Sequence, residues 1–163
     1  MSPIIATVDV DRPAAEVYAY AVDPSRFTDW QAGIVEGHLE GDGPPRVGAK
    51  CVTTRRIGGA QRQVTSELTH VDPPRAWGVR GIDGAIRATV DLTVTPLAET
   101  RSRLTISVDF EGHGIGKVLV ALLVSRQARK EMPTNVANLK RHLESRQSQD
   151  PAQDGGSPGS AGR

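Results

Sequence analysis

The clearest pattern along this chain is a strict alternation of apolar and polar positions in the segments 85–97 and 102–112. In both segments nearly every second side chain is apolar, and the side chains between them are mostly threonine, serine, aspartate or arginine. A period of two predicts strands of an antiparallel sheet that bury one face and leave the other in water.

Looser alternation predicts strands in five further segments, which are 4–10, 35–40, 47–57, 60–71 and 75–82. The pair Gly58-Gly59 separates two of them and favours a tight two-residue hairpin turn. A turn at that pair places Thr53 opposite Val64, Cys51 opposite Ser66, and Ala49 opposite Leu68. Val64 and Leu68 favour the core, so the residues opposite them share the buried face.

Two short helices are predicted between the first and second strands. Apolar side chains follow Pro13 at helical spacing, and a proline suits the first turn of a helix. Asp11 is well placed to cap this helix. The helix cannot easily continue into Pro24, and the segment 24–30 predicts a second short helix or turn.

A longer helical pattern begins at Gly116 and carries an apolar stripe over some thirty residues. Pro133 interrupts the stripe, which predicts either a kink or a break into two helices. The sequence of 147–163 is polar and rich in small residues, and we expect it to form a disordered tail behind a folded domain of residues 1–146.

The amino-acid composition and charge of the chain argue against several classes of function and location. The net charge of the whole chain is +1, so no overall field attracts nucleic acid. Cys51 is the single cysteine, which excludes an intrachain disulfide and favours a reducing, cytoplasmic location. The N-terminus lacks the pattern of a signal peptide, and the longest apolar run, 118–124, is too short to span a bilayer.

Four stretches carry a resemblance to a known fold family. They are "RPAAEVYAYAVDPSRFTDW", the glycine after "PPRV", "DPPRAWGV" and "GHGIGKVLV". In this order the chain resembles the START-like, or Bet v 1-like (SRPBCC), helix-grip superfamily over residues 3–146, and within it the bacterial polyketide cyclase/dehydrase family. The resemblance implies an α+β fold in which a curved antiparallel sheet of about seven strands wraps around a long C-terminal helix, with two short helices after strand 1.

The same resemblance implies a small hydrophobic or aromatic ligand, lipid-like or polyketide-like, in a cavity between the sheet and the long helix. Relatives of this kind cyclise or dehydrate polyketide chains, only bind or carry a ligand, or act as partners of other proteins. Ligand binding is the favoured interpretation, with a cyclase/dehydrase enzyme and a protein-interaction module as alternatives. Either a monomer or a homodimer is compatible with the sequence.

Small inward-facing side chains beneath a long helix would leave volume for such a ligand. The predicted ligand-binding residues are Ala49, Cys51, Thr53, Val64, Ser66, Leu68, Trp77, Val79, Ala88, Val90, Leu119 and Leu122. Arg55, Arg62 or His70 could orient the ligand through a polar group.

His70 is the candidate catalytic residue, because the hairpin pattern places it on the same face as Leu68, at the mouth of the cavity. Cys51 is more simply a small buried apolar residue than a nucleophile. The four histidines are scattered, so we expect no metal site and no cofactor.

The C-terminal helix is basic, with a net charge of +5 over residues 113–146. A basic helix with adjacent apolar residues can make transient contact with an anionic membrane. A solvated outer face is the simpler interpretation of the same charges.

Overall fold

The computed structural model describes residues 2–114 and 117–146. Seven strands and three α-helices form this part of the chain. The strands are β1 (Ile4–Val10), β2 (Ile34–Leu39), β3 (Lys50–Ile57), β4 (Ala60–Asp72), β5 (Ala76–Gly81), β6 (Ile86–Ala98) and β7 (Arg101–Gly112). The helices are α1 (Ala14–Ala21), α2 (Phe27–Trp30) and α3 (Lys117–Arg146), with a 3-10 turn at Pro24–Arg26 before α2.

All seven strands belong to one antiparallel sheet, in the order β1-β7-β6-β5-β4-β3-β2. The sheet curls into a half-barrel around α3, as the resemblance to the helix-grip superfamily implies. The β3–β4 hairpin turns at Gly58-Gly59 and pairs Thr53 with Val64 and Cys51 with Ser66, which confirms the predicted register. The α+β helix-grip architecture is therefore the fold of this chain.

The short helices close one end of the curved sheet with an aromatic cluster. Phe27 of α2 makes edge contacts with Trp30, at 6.0 Å between ring centroids, and with Trp77 of β5, at 6.3 Å. All three rings are buried. Tyr18 of α1 donates a hydrogen bond from its hydroxyl to the Ala76 carbonyl oxygen at 3.1 Å, which holds α1 to the same strand.

The start of α1 differs from the predicted one. Pro13, and not Asp11, is the N-cap residue, and no side chain caps the helix. The Asp11 carboxylate lies 3.7 Å from the Arg101 Nε atom instead. An ion pair with Arg101, the first residue of β7, thus occupies the carboxylate that was expected to cap the helix.

The 3-10 turn approaches β2 closely at a glycine. A Cβ atom on Gly37 would lie 2.5 Å from the Pro24 carbonyl oxygen, well inside van der Waals contact. Asp23 caps the turn by accepting a hydrogen bond from the Ser25 backbone N–H at 3.0 Å. Because residue 37 is a glycine, the 3-10 turn can pack directly against β2.

Helix α3 runs without interruption from Lys117 to Arg146, so the predicted alternative of a break at Pro133 is wrong. The proline ring lies on the exposed side of the helix. Proline has no backbone N–H to donate to the carbonyl oxygen one turn earlier in the helix. On the exposed side, water can donate to that oxygen instead. Residues 147–163, predicted to be a disordered tail, lie outside the described residues.

The C-terminal half of α3 anchors the helix on the sheet. Its buried side chains are Met132, Val136, Leu139 and Leu143, which join the core with residues of β1, β7 and α2. Lys140 donates from Nζ to the Asp9 carbonyl oxygen at 2.9 Å, and Asn135 accepts from the Ala32 N–H at 3.0 Å. Within the described ranges, no helix is long and apolar enough to cross a membrane.

Candidate ligand-binding cleft

The concave face of the sheet brings together ten of the twelve predicted ligand-binding residues. They are Ala49, Cys51, Thr53, Val64, Ser66, Leu68, Trp77, Val79, Ala88 and Val90. Strand pairing explains this, since paired residues in neighbouring strands share a face. Their role in binding a ligand stays a prediction.

Burial along this face decreases from the end near α2 to the opposite end. Leu68, Trp77 and Val79 are buried against the aromatic cluster. Val64 and Ala88, farther along the strands, are only partly buried. The concave face is therefore closed at the α2 end and more exposed to solvent at the other, and we call this more exposed part, beneath α3, the cleft.

A row of small residues crosses the floor of this cleft. Cys51 pairs with Ser66, and Ser66 pairs with Gly81, in consecutive strands. The row continues to Ala88, whose backbone nitrogen would lie 3.3 Å from a Cβ atom on Gly81. Ala88 in turn pairs with Phe110 of β7, a partly buried ring on the same face. These residues leave space where larger side chains would fill the groove.

Arg55 is the charged group closest to this floor. It follows Cys51 and Thr53 on the concave side of β3 and is partly buried. Burial lowers the pKa of its guanidinium, while the negative charge of Glu131 on α3 acts in the opposite direction. Within residues 2–114 and 117–146, the guanidinium makes no hydrogen bond and no ion pair shorter than 4 Å. A guanidinium carries five N–H donors, and those of Arg55 have no acceptor among the described residues.

Cys51 is a neutral member of the cleft. Burial raises the pKa of its thiol to about 11, although the nearby Arg55 guanidinium acts to lower it. The thiolate is the reactive form of cysteine, and at neutral pH this thiol is protonated. Cys51 therefore contributes a small apolar surface to the floor, as its sequence context indicates.

Alkylation of Cys51 should report this environment. At pH 8 we expect iodoacetamide to modify the folded protein roughly 100-fold more slowly than the urea-unfolded chain, because the thiolate fraction falls as the pKa rises from 9.0 to about 11. The folded-state rate should keep rising with pH up to about 11. Equal rates in the folded and unfolded chains would show that the thiol is not buried.

The prediction that His70 faces the cavity is wrong. The pairing of β4 with β5 shifts register between Leu68 and His70, where Thr69 is the extra residue of a β-bulge. His70 therefore points to the convex side, over Gly78, with Nε2 at 3.7 Å from Asp91 Oδ1 and Nδ1 at 3.2 Å from Thr69 Oγ1. A catalytic role for His70 inside the cleft has no geometric support.

The predicted positions of Leu119 and Leu122 over the cleft are also wrong. Their exposed fractions are 67% and 44%. The residues of this part of α3 that turn inward are Ala121 and Ser125, both buried. They extend the buried stripe that contains Met132 toward the N-terminus of α3. The residues of this stripe are three or four positions apart, as on one face of a helix. The inward face here is thus made of small residues, and the large aliphatic ones lie outside it.

From sequence alone no role was predicted for Phe110, and Arg55 was one of several polar candidates. The alternation in β7 already puts Phe110 on the same face as Leu104, so that signal was available. The sequence could not show that Arg55 has no acceptor among the described residues, because this depends on which side chains of α3 lie near β3. In the part of the chain that the structure describes, no three His, Cys, Asp or Glu side chains are arranged to hold a metal ion.

Solved structures of the same architecture support the class of fold. The chain is similar to the Zhui aromatase/cyclase from Streptomyces sp. R1128, with 16% identity, a TM-score of 0.74, and coverage of 88% of this chain and 94% of that one. It is also similar to TTHA0849 from Thermus thermophilus, with 14% identity, a TM-score of 0.71, and coverage of 88% and 98%. A START superfamily protein from Mycobacterium smegmatis matches with 13% identity, a TM-score of 0.66, and coverage of 91% and 99%. At these identities the likeness establishes the helix-grip fold alone.

The family follows from the sequence. The profile of the family "Polyketide cyclase / dehydrase and lipid transport" matches residues 4–144, nearly the whole described part of the chain. The protein belongs to this family, as its resemblance indicated. A comparison with curated proteins finds no match.

Proposed function

We propose that this protein binds a small hydrophobic molecule, lipid-like or polyketide-like, that carries an acidic or carbonyl group. The site is the cleft between the concave sheet and α3. The observation that carries the proposal is the Arg55 guanidinium, which has no protein acceptor among the described residues and lies beside partly exposed apolar side chains. A carboxylate or carbonyl oxygen would supply the missing acceptor.

The apolar part of the ligand would lie along the floor. Val64, Ala88, Val90 and Phe110 are partly buried around the small-residue row, so a hydrocarbon or aromatic body would remove their remaining surface from water. Mostly apolar clefts with a few convergent polar groups are typical small-molecule sites. The single, buried cysteine fits action in a reducing cytoplasm.

Binding has better support than turnover. A cyclase or dehydrase that works by acid-base catalysis needs a group that exchanges a proton near neutral pH. On the concave face of the described strands, the titratable side chains are those of Cys51, Arg55 and Arg62. The Cys51 thiol is protonated at neutral pH and His70 lies outside the cleft, so neither is placed to exchange a proton with a ligand there.

Filling the small-residue row tests the site. Ser66→Leu should weaken the binding of a dansyl-labelled fatty acid by about 10-fold or more, because the larger side chain occupies the groove. Gln63→Leu is the matched control, since Gln63 lies on the same strand, faces the convex side and is exposed. Fluorescence titration measures both affinities, and thermal unfolding checks that both variants are folded.

Native mass spectrometry of protein purified from its own host gives the independent test. A discrete added mass that denaturation releases would support a resident ligand. Wild-type protein that is empty and takes up neither fatty acids nor flavonoids would contradict the proposal and favour a protein-interaction module of the same fold. Equal binding by the Ser66→Leu and Gln63→Leu variants would place the ligand elsewhere.

A further inference from the structure

The first two turns of α3 expose an unusual amount of apolar surface. Five large aliphatic side chains within six residues have exposed fractions between 44% and 67%. They are Val118, Leu119, Val120, Leu122 and Leu123, and we call them the apolar tip. We infer that the apolar tip and the basic residues that follow it form a docking surface for an anionic lipid bilayer.

The arrangement of the tip around the helix favours a bilayer over a flat protein face. With 3.6 residues per turn, its five side chains spread over an arc of roughly 200°. A helix that packs on one neighbour needs an apolar stripe of about 100°. A helix end inserted among lipids is surrounded on several sides, so a bilayer can cover the whole arc.

Basic residues follow directly on the same side of α3. Arg126, Arg129 and Lys130 are exposed, and their helical positions lie within the arc of the apolar tip. In the described part of the chain, none of the three forms an ion pair or hydrogen bond with another side chain. The acidic residue of the same turn, Glu131, lies about 20° outside this arc, next to the position of Val120, and its charge acts on Arg55.

The spacing along the helix matches the layers of a membrane interface. At a rise of 1.5 Å per residue, the three basic residues lie about 5 to 10 Å beyond Leu123 along the axis. Interfacial helices bury their apolar residues to a similar depth, about 5 to 10 Å, at the boundary of headgroups and acyl chains. When the tip reaches this boundary, the three cations lie at the level of the phosphates.

The same charges disfavour a second copy of this chain as the occupant. In a two-fold symmetric dimer through the tip, the same patch of each copy forms the interface. The three cations of one copy would then approach the three of the other, and among residues 117–146 the one nearby carboxylate, that of Glu131, lies at the edge of the arc and cannot balance them. The three cations therefore favour a negatively charged partner. The wide apolar arc favours a partner made of lipid.

Vesicle flotation with the full chain tests the inference. We expect the protein to float with vesicles of phosphatidylcholine and phosphatidylglycerol in a 7:3 ratio, and to bind pure phosphatidylcholine at least about 10-fold less well. Raising sodium chloride from 50 to 500 mM should reduce the binding to anionic vesicles, because salt screens exposed charges.

Two pairs of variants separate the apolar and basic contributions. Leu119→Ser with Leu123→Ser should abolish flotation, and Arg126→Gln with Lys130→Gln should weaken it by about 5-fold for each cation removed. The matched controls are Ile5→Ser with Ile57→Ser, and Lys50→Gln with Arg56→Gln. These control residues are exposed in the same way but lie in β1 and β3, and both control pairs should float like the wild type.

Three results would overturn the inference. The first is the absence of any preference for anionic vesicles. The second is an equal loss of flotation in the control pairs. The third is a dimer, measured by light scattering after size exclusion, that the Leu119→Ser, Leu123→Ser pair converts to a monomer, because the tip would then be a protein interface. The test does not depend on a ligand in the cleft, so it can fail while the proposed ligand binding holds.

Discussion

Trp77→Ala is expected to lower the free energy of unfolding by about 3 to 5 kcal/mol. The indole ring is buried in β5 and makes an edge contact with Phe27 at 6.3 Å, and so ties α2 to the centre of the sheet. Removing the ring leaves a cavity that the flanking strands cannot close, because their backbones are held by pairing on both sides. Urea unfolding followed by circular dichroism measures the change.

Leu97→Ala is the control for this prediction. Leu97 is a large apolar residue of β6 that is exposed, and its truncation should change the free energy of unfolding by less than about 0.5 kcal/mol. Single domains of this size are stable by roughly 5 to 15 kcal/mol, so the Trp77→Ala variant should be marginal but measurable. A loss below about 1 kcal/mol would show that the aromatic cluster does not hold the closed end of the cleft.

Arg55→Met should change ligand preference more than stability. We expect the binding of a twelve-carbon fatty acid to weaken by roughly 10- to 100-fold, in line with about 1.5 to 3 kcal/mol for hydrogen bonds to charged groups. The alcohol of the same length has no charge to lose and should change by less than about 3-fold. The free energy of unfolding should stay constant or rise, because the variant no longer buries a guanidinium that has no hydrogen-bond acceptor within residues 2–114 and 117–146.

Arg56→Met provides the matched control, since Arg56 is the next residue of β3 but is exposed on the opposite side. Calorimetric titration of the acid and the alcohol into all three proteins gives the comparison. Equal weakening of acid and alcohol in Arg55→Met would assign the residue a structural role. Unchanged binding of the acid would remove Arg55 as the anchor and leave only the apolar floor.

The strands and much of their pairing follow from local pattern. Alternation with a period of two is a property of neighbouring residues, and it marks β6 and β7 along nearly their full length. The Gly58-Gly59 turn then sets the register of the β3–β4 hairpin, because a two-residue turn leaves one pairing for the flanking residues. For this reason Cys51, Thr53, Val64 and Ser66 could be assigned to one face from sequence.

His70 was assigned to the wrong face because of a bulge in β4 that local pattern does not reveal. One extra residue in β4 reverses the side on which every later side chain points. The bulge leaves no clear mark in the sequence, since Thr69 is a normal strand residue. It is explained by the pairing with β5, in which His70 lies over the bare backbone of Gly78. That contact exists only when the two strands are side by side.

The sequence by itself determined the order of elements, the antiparallel sheet and the small residues that share its buried face, because each follows from periodicity or turn chemistry within a few residues. Only the tertiary structure decided which side of α3 faces the sheet and that Arg55 has no acceptor in the part of the chain that the structure describes. The first two turns of α3 are apolar nearly all round, so periodicity there does not choose a side. Helix orientation depends instead on contacts with β1, β7 and α2, which are far away in sequence. Those contacts leave Leu119 and Leu122 outside and place Ala121 and Ser125 inside.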